Sequence, residues 1–264
     1  MRVTFHGVRG STPVFGDEYV RTGGHTSCVA VGHDDDLPVL VLDAGTGLQA
    51  LARRFAGRPF VGVVLLTHLH WDHVHGLPFF PPADRAGADV TLVQPAQGDP
   101  VEVLSGAMSP PHFPITPREL GGTWRHVALE PGAYEFAGFA VTAAEVQHKG
   151  GRTFGYRIEH GGMAMAYVPD ALDASDDAIV ELSHGVDLLV RGAPFTATES
   201  GRAVAYGHGT IEHAIATAKR AGVGRLVITH HGVYRSDEDL EALSRTLGAE
   251  FARESMAIDV GRPD

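Results

Sequence analysis

Apolar residues recur along this chain with two spacings, every second position and every third or fourth, and the spacings take turns. The start, Arg2-Val3-Thr4-Phe5-His6, alternates as a half-buried strand does, and 27–33 and 38–43 read as further strands. Leu48, Leu51, Ala52 and Phe55 then fall at helical spacing and predict a helix near 47–56. Val61-Gly62-Val63-Val64-Leu65-Leu66 is a short β-branched run that predicts a buried strand. A strand near 89–94, a helix over 99–108 and strands over 124–128, 133–136 and 139–146 follow. Next comes a hairpin of 153–160 and 163–168 around Gly161-Gly162. The last third predicts a helix over 175–184, a strand over 186–190 and a loop over 191–209. A helix with Thr210 as N-cap runs from Ile211 to Ala221-Gly222, and a strand covers 225–229. Ser236, with Asp239 three residues on, caps a helix over 237–248, and 256–260 form a last strand. Strands separated by helices in both halves predict a layered α/β fold with its helices outside. No composition break divides residues 1–264, so one domain is expected.

Composition narrows the class. At 264 residues, 44% hydrophobic and 20% charged, the chain can bury a sizeable core as an ordinary globular protein does. A formal charge of −11 disfavours a protein that grips long nucleic acid through many phosphates. No stretch approaches the roughly 18 apolar residues of a membrane span, and the N-terminus lacks the apolar core of a signal peptide. A cytoplasmic location is therefore expected. The single cysteine, Cys28, flanked by Val29 and Val31, reads as a small buried residue and excludes an intramolecular disulfide or a multi-cysteine zinc site. Sixteen histidines are the unusual number.

Five candidate donors lie in the segment Thr67-His68-Leu69-His70-Trp71-Asp72-His73-Val74-His75-Gly76. His68 and His70 leave an extended chain on the same side. Asp72 and His73 follow as the chain turns over, and Gly76 allows a tight bend where a side chain would crowd the site. Imidazole nitrogens with a carboxylate oxygen are the set that zinc and similar divalent ions prefer. That cluster serves one ion and part of a second. His148, Asp170 and His230, each at the C-terminal end of a predicted strand, would complete two sites sharing a carboxylate. His231 is the rival to His230, and strand register favours the residue that comes first after Thr229. Asp43 either orients a ligating histidine by accepting its second ring proton or caps a turn or helix. Ser109-Pro110-Pro111-His112-Phe113-Pro114 reads first as a rigid connection and second as a pocket wall.

His-x-His-x-Asp-His on a loop after a strand resembles the hallmark of the metallo-β-lactamase superfamily. Gly7-Val8-Arg9-Gly10-Ser11-Thr12-Pro13, Gly23-Gly24-His25-Thr26-Ser27-Cys28, Asp43-Ala44-Gly45-Thr46-Gly47 and Phe154-Gly155-Tyr156-Arg157 extend the likeness. With Ser109-Pro110-Pro111 and Gly207-His208-Gly209-Thr210 they make it closest to the branch of tRNase Z and related phosphodiesterases. The resemblance implies a four-layer αβ/βα sandwich with two divalent ions, zinc or manganese, at one edge. His68, His70 and His148 would hold the first ion, Asp72, His73 and His230 the second, with Asp170 bridging and His75 outside the ligand set. Two such cations lower the pKa of a bridging water and polarise the oxygen under attack. Asp72 would act as general base, and His208 would stabilise charge on phosphate or protonate the leaving oxygen. Relatives tend to carry Asn at His25, Pro at Lys149 and His-Asp at Arg191-Gly192; these departures are expected on loops facing the site.

The expected function is hydrolysis of a small phosphodiester, a cyclic nucleotide or short oligonucleotide, with a carbonyl ester, lactone or thioester as the alternative. No inserted basic arm of the kind that clasps pre-tRNA is found, and a homodimer is compatible with the resemblance. Di-iron oxidoreductases of the superfamily generally place Glu where this chain has His70 and carry a flavin domain. A non-catalytic relative would be marked by lost ligands, and all seven are present.

Overall fold

The computed structural model of the protein describes residues 1–33, 37–172 and 177–261. The chain builds two seven-stranded sheets, largely one after the other. The first takes β1 (Arg2–Gly7), β2 (Cys28–Gly32), β3 (Leu40–Leu42), β4 (Val61–Leu65), β5 (Asp89–Pro95) and β6 (Thr123–Leu129) in that order. The second runs in order from β7 (Gly132–Phe136) through β8 (Phe139–Val146), β9 (Thr153–His160), β10 (Met163–Val168) and β11 (Leu188–Gly192) to β12 (Arg225–Thr229) and β13 (Glu250–Phe251). The last strand, β14 (Ala257–Asp259), returns to pair with β1. From one edge to the other, each sheet makes antiparallel pairings and then parallel ones: β14 to β3, then β3 to β6; β7 to β10, then β10 to β13.

The strand period of two sets the layers. Leu42, Leu65 and Val93 lie in one row across three strands and point into the core shared by the two sheets. Phe154, Tyr156, Ile158, Met165, Tyr167 and Val190 meet them from the other sheet. One position back, Val41, Val64 and Leu92 form the opposite row and face Leu48, Leu51, Phe55, Phe60 and Phe80. Each buried Val or Leu contributes about 1.5–3 kcal/mol. A central strand buried on both faces has no polar side, which is why 61–66 is a continuous apolar run. The edge strand β7 instead alternates in exposure.

Outside the sheets lie α1 (Gly47–Ala52), α2 (Trp71–Val74), α3 (Pro100–Ser105), α4 (Asp177–Leu182), α5 (Ser200–Tyr206), α6 (Ile211–Ala221) and α7 (Asp237–Leu247). The architecture is the expected four-layer sandwich. α6 begins where Thr210 Oγ1 accepts from the His213 amide and stops at Gly222, whose φ of +64° an L side chain resists. α7 has the expected capping box of Ser236 and Asp239. Among the described residues no helix is long and apolar enough to cross a membrane.

Several boundaries differ from expectation. The helix near 47–56 breaks into α1 and a 3₁₀ turn at Arg53–Phe55, and that over 99–108 shortens to α3. The expected helix start at 175 lies outside the described residues. The strand expected at 186–190 occupies 188–192, because Asp187 is the residue that turns into the sheet: its carboxylate accepts from the Ala164 amide. The segment 191–209 is no simple loop, since it carries α5. That helix buries only Ala203 and so has no apolar stripe to read. The two-residue β13 was too short to show a pattern.

The long segment between β1 and β2 is held down by two side chains. Arg9, fully buried, donates from Nε to Gly23 O (2.8 Å) and from a terminal nitrogen to Arg235 O (2.7 Å). Asp237, 3% exposed, accepts from the Arg21 and Thr22 amides at 2.8 and 2.9 Å. Burial alone would raise the Asp237 pKa, but the bonds from Thr22 and Arg21 outweigh it and hold the carboxyl below its ordinary 3.8. Asp237→Ala leaves two amides unpaired and is expected to cost about 1–3 kcal/mol of stability. Because the folded pKa is depressed, the difference from wild type is full above about pH 3.8 and narrows as pH falls through the folded value. Urea titrations of both proteins across pH 3–7 check this.

Candidate metal centre

Strand ends deliver the site. β3, β4, β8, β10 and β12 stop at the same edge, and the residues that follow are Asp43, Thr67-His68, His148, Asp170 and His230. Two of them leave their strands in the left-handed region, Asp43 at φ +59° and His230 at φ +57°. For a residue with a side chain this conformation costs of order 1–3 kcal/mol and is typical of functional sites. Gly76 matters here through space, since its φ of −75° is ordinary. A Cβ there would meet the Gly45 carbonyl oxygen at 2.1 Å, and its amide bonds Ala44 O at 2.7 Å. The turn after His73 thereby docks onto the loop that carries Asp43.

The donor atoms converge on Asp170. Its Oδ2 lies 3.5 Å from His68 Nε2, 3.5 Å from His148 Nε2 and 3.6 Å from His73 Nε2, and its Oδ1 lies 3.1 Å from His230 Nε2. On one side, His70 Nδ1 is 3.3 Å from His148 Nε2. On the other, Asp72 Oδ2 is 3.1 Å from His230 Nε2 and 3.3 Å from His73 Nε2, and the two ring nitrogens are 3.4 Å apart. Donor atoms of His68, His70, His148 and Asp170 all fall within 4.8 Å of one another, as do those of Asp72, His73 and His230. A third such group joins Asp170, His208 and His230.

Comparison with known proteins shows which family the chain belongs to. Residues 39–231 match the family described as Beta-lactamase superfamily domain. A ribonuclease Z of Haloarcula marismortui is 27% identical, over 87% of this chain and 86% of that protein. A ribonuclease Z of Lacticaseibacillus casei is 30% identical, over 75% of this chain and 76% of that one. Among solved structures, the metallo-β-lactamase fold protein YhfI of Bacillus subtilis is similar with a TM-score of 0.76 and 20% identity, covering 98% of this chain and 99% of its own. The chain belongs to the metallo-β-lactamase superfamily, on its tRNase Z-like side. It is a metal-dependent hydrolase.

Members of the superfamily typically bind two divalent cations, and the residues here fit such a pair on three grounds. First, separations of 3.1–3.6 Å match the edge of about 3.3 Å in a tetrahedron with bonds of about 2.0–2.1 Å. Second, buried His68 Nε2 has no hydrogen-bond partner among the described residues, and it faces Asp170. Third, the field calls for positive charge. Burial pushes the Asp170 and Asp72 carboxyls up, yet the neighbouring histidines, His230 and His73, hold both well below the ordinary range. Burial likewise opposes a charged His73, but Asp43, Asp72 and Asp170 outweigh it and push its pKa well up. Divalent cations satisfy this field without requiring protons on the histidines.

The second ring nitrogens fix which atom faces inward. Asp43 accepts from His73 Nδ1 at 2.8 Å, and also from the Thr67 amide (2.8 Å), Thr67 Oγ1 (3.0 Å) and Tyr167 OH (2.9 Å). It orients a histidine and caps no helix, which resolves the two readings of the sequence. Gly207 O accepts from His148 Nδ1 at 2.7 Å. His231 Nε2 donates to Ala252 O at 2.8 Å, away from the cluster, so His230 is the residue that reaches it. His75 stacks on Trp71 and lies outside all three donor groups.

Other participants escaped the sequence reading. The Ser11 amide donates to Asp72 Oδ2 at 2.7 Å, which is what the anchored segment between β1 and β2 contributes. Tyr167 was read only as a strand residue. Arg191 and Gly192, expected on a loop facing the site, are instead the buried end of β11. The Arg191 guanidinium donates to Ala171 O (2.9 Å), Gly192 O (3.0 Å) and Val168 O (3.3 Å), bracketing Asp170. A Cβ at Gly192 would sit 1.5 Å from Pro169 O, so the Asp170 turn closes only over glycine. The Ser109–Pro114 segment is also corrected: His112 and Phe113 line a cavity of ≈ 630 Å³ beside the centre, so the segment is a wall as well as a connection.

Asp43→Asn removes the carboxylate that orients His73 and is expected to lower metal affinity roughly 10–100-fold. Chelator competition on the loaded protein checks this, and unchanged affinity would detach Asp43 from the centre.

Proposed function

We propose that the protein is a dinuclear metal-dependent phosphodiesterase for small phosphodiesters, such as a cyclic nucleotide or short oligonucleotide. The observation that carries this reading is one buried carboxylate, Asp170, set between two groups of three donors. His68, His70 and His148 would hold one cation, Asp72, His73 and His230 the other, and Asp170 would bridge them. Nitrogen and oxygen donors without thiolate suit zinc, and also manganese. Such a pair supplies an activated water and polarises the phosphoryl oxygen.

The chain's own groups do the rest. Asp72, held ionised and fixed by the Ser11 amide, accepts the proton of the attacking water. His208 lies beside Asp170 and His230, and burial lowers its pKa to about 3 against the pull of Asp170. From that position its ring can stabilise charge on the phosphoryl oxygens or protonate the leaving oxygen. Gly207-His208-Gly209 is held in place at both ends. Gly207 O takes the His148 bond, and the Gly209 amide donates to Ala171 O at 2.9 Å.

One support favours phosphate and another a small substrate. The relatives from Haloarcula and Lacticaseibacillus are named ribonuclease Z, which places their chemistry at phosphodiesters. The net charge of −11 favours a small substrate over a long polyanion.

Zinc- or manganese-loaded protein is expected to hydrolyse bis-p-nitrophenyl phosphate, and Asp72→Ala is expected to abolish this. Two bound metals with cleavage of esters and lactones only would overturn the phosphodiester assignment in favour of carbonyl substrates. His208→Ala is expected to lower kcat by about 10²–10⁴ while both metals stay bound. Parallel metal analysis and steady-state kinetics separate that effect from loss of the centre.

A further inference from the structure

The cavity of ≈ 630 Å³ beside the metal centre is used by nothing described so far. Its size falls within the range of small-molecule sites, about 300–1,000 Å³. No Lys, Arg, Asp or Glu lines it. Its walls are aromatic: Trp71, 67% exposed, stacked on His75 at 5.6 Å, and Phe79, 49% exposed, edge-to-face with Phe113 at 5.9 Å. Large aromatic rings left this open to solvent mark an interaction site.

The position of the groove is tied to the chemistry. Trp71 is the residue between His70 and Asp72, so its ring is fixed to the donor cluster by a single turn of helix. Leu104, Gly106 and Ala107 line this groove and also a smaller cavity of ≈ 250 Å³ that contains His68 and His70. The smaller cavity carries a cation, Arg152, and the aromatic groove carries none. A substrate whose anionic part lies at the donors must therefore place an uncharged part in the groove. Flat ring faces with hydrogen-bonding groups from Gln49 and His112 at the wall suit a planar heterocycle better than an alkyl chain.

We infer that this groove binds the nucleobase of the substrate, stacked on Trp71 and edged by Phe79 and Phe113. The inference rests on the phosphodiesterase reading for the nature of the substrate, but its test does not depend on turnover.

The test compares AMP with ribose 5-phosphate, which differ only in the base, by calorimetric titration of the metal-loaded protein. AMP is expected to bind roughly 5- to 100-fold tighter, the range that base–aromatic stacking supplies. Trp71→Ala is expected to remove most of that preference and Trp71→Phe to retain most of it. AMP is also expected to quench indole fluorescence in wild type; Trp124 is the other tryptophan and remains as the reference in Trp71→Phe. Equal binding of the two ligands, or a preference unchanged in Trp71→Ala, would overturn the inference. So would a dimer in sedimentation that Trp71→Ala dissociates and AMP does not, since a second copy would then cover the groove. Failure to cleave bis-p-nitrophenyl phosphate would count against the phosphodiesterase reading alone.

Discussion

Three carboxylates, Asp43, Asp72 and Asp170, are buried at one edge of the sandwich, and the rest of the molecule is arranged around that cost. An isolated buried carboxylate is among the least tolerable groups in a protein interior. Here each is held by a distinct set of partners. Asp43 has four donors within 3.0 Å, Asp72 has a backbone amide and two imidazoles, and Asp170 has imidazoles on both oxygens. Histidines drawn into the cluster to balance the acids are themselves desolvated. Burial pushes His68 well below its ordinary value while the acids push His73 and His230 up. A site so divided, with some nitrogens bare and others wanting charge, fits the divalent cations that the superfamily typically binds.

That demand explains features which look local. Left-handed conformations at Asp43 and His230 turn the chain back at the strand ends, and the hydrogen bonds and packing of the centre hold them there. Gly192 gives up a side chain so that the Asp170 turn can close on β11. Arg191 then fills the space below, donating to three carbonyls around the turn. The two residues work together, since Arg191 brackets the turn that Gly192 allows to close. Neither supplies a donor atom, so both act on the centre only by supporting the turn that carries Asp170.

Much of this was legible in the chain because it lies in short range. The segment from Thr67 to Gly76 puts His68, His70, Asp72 and His73 on one strand-to-helix turn, and hydrophobic period places that turn after a buried strand. The strand-end positions of His148, Asp170 and His230 follow from the same periods. What could not be read lies in long-range backbone contacts, which carry no side-chain signature. The Ser11 amide reaches Asp72 across 61 residues of sequence, and Gly207 O reaches His148 across 59. α5 escaped because a helix that buries one alanine leaves no stripe.

The Ser109–Pro114 segment illustrates the same limit from the other direction. Its prolines announce stiffness, and stiffness alone is equally consistent with a connector. Only the fold places Phe113 against Phe79, a residue thirty-four positions earlier, and so makes a wall of it. Phe79 in turn ends the 3₁₀ turn Leu77–Phe79 that follows the donor segment, three residues after Gly76. The segment that supplies donors therefore also supplies, from its solvent side, Trp71, His75 and Phe79 to the groove. Within this one turn Asp72 and His73 face the donors, and Trp71 and His75, four residues apart, face an uncharged aromatic surface. Part of the donor cluster and part of the groove are thus two faces of one ten-residue stretch and its continuation. Through Trp71, Asp72 and His73, α2 belongs to both, so a shift of that turn moves part of the donor cluster and part of the groove wall together.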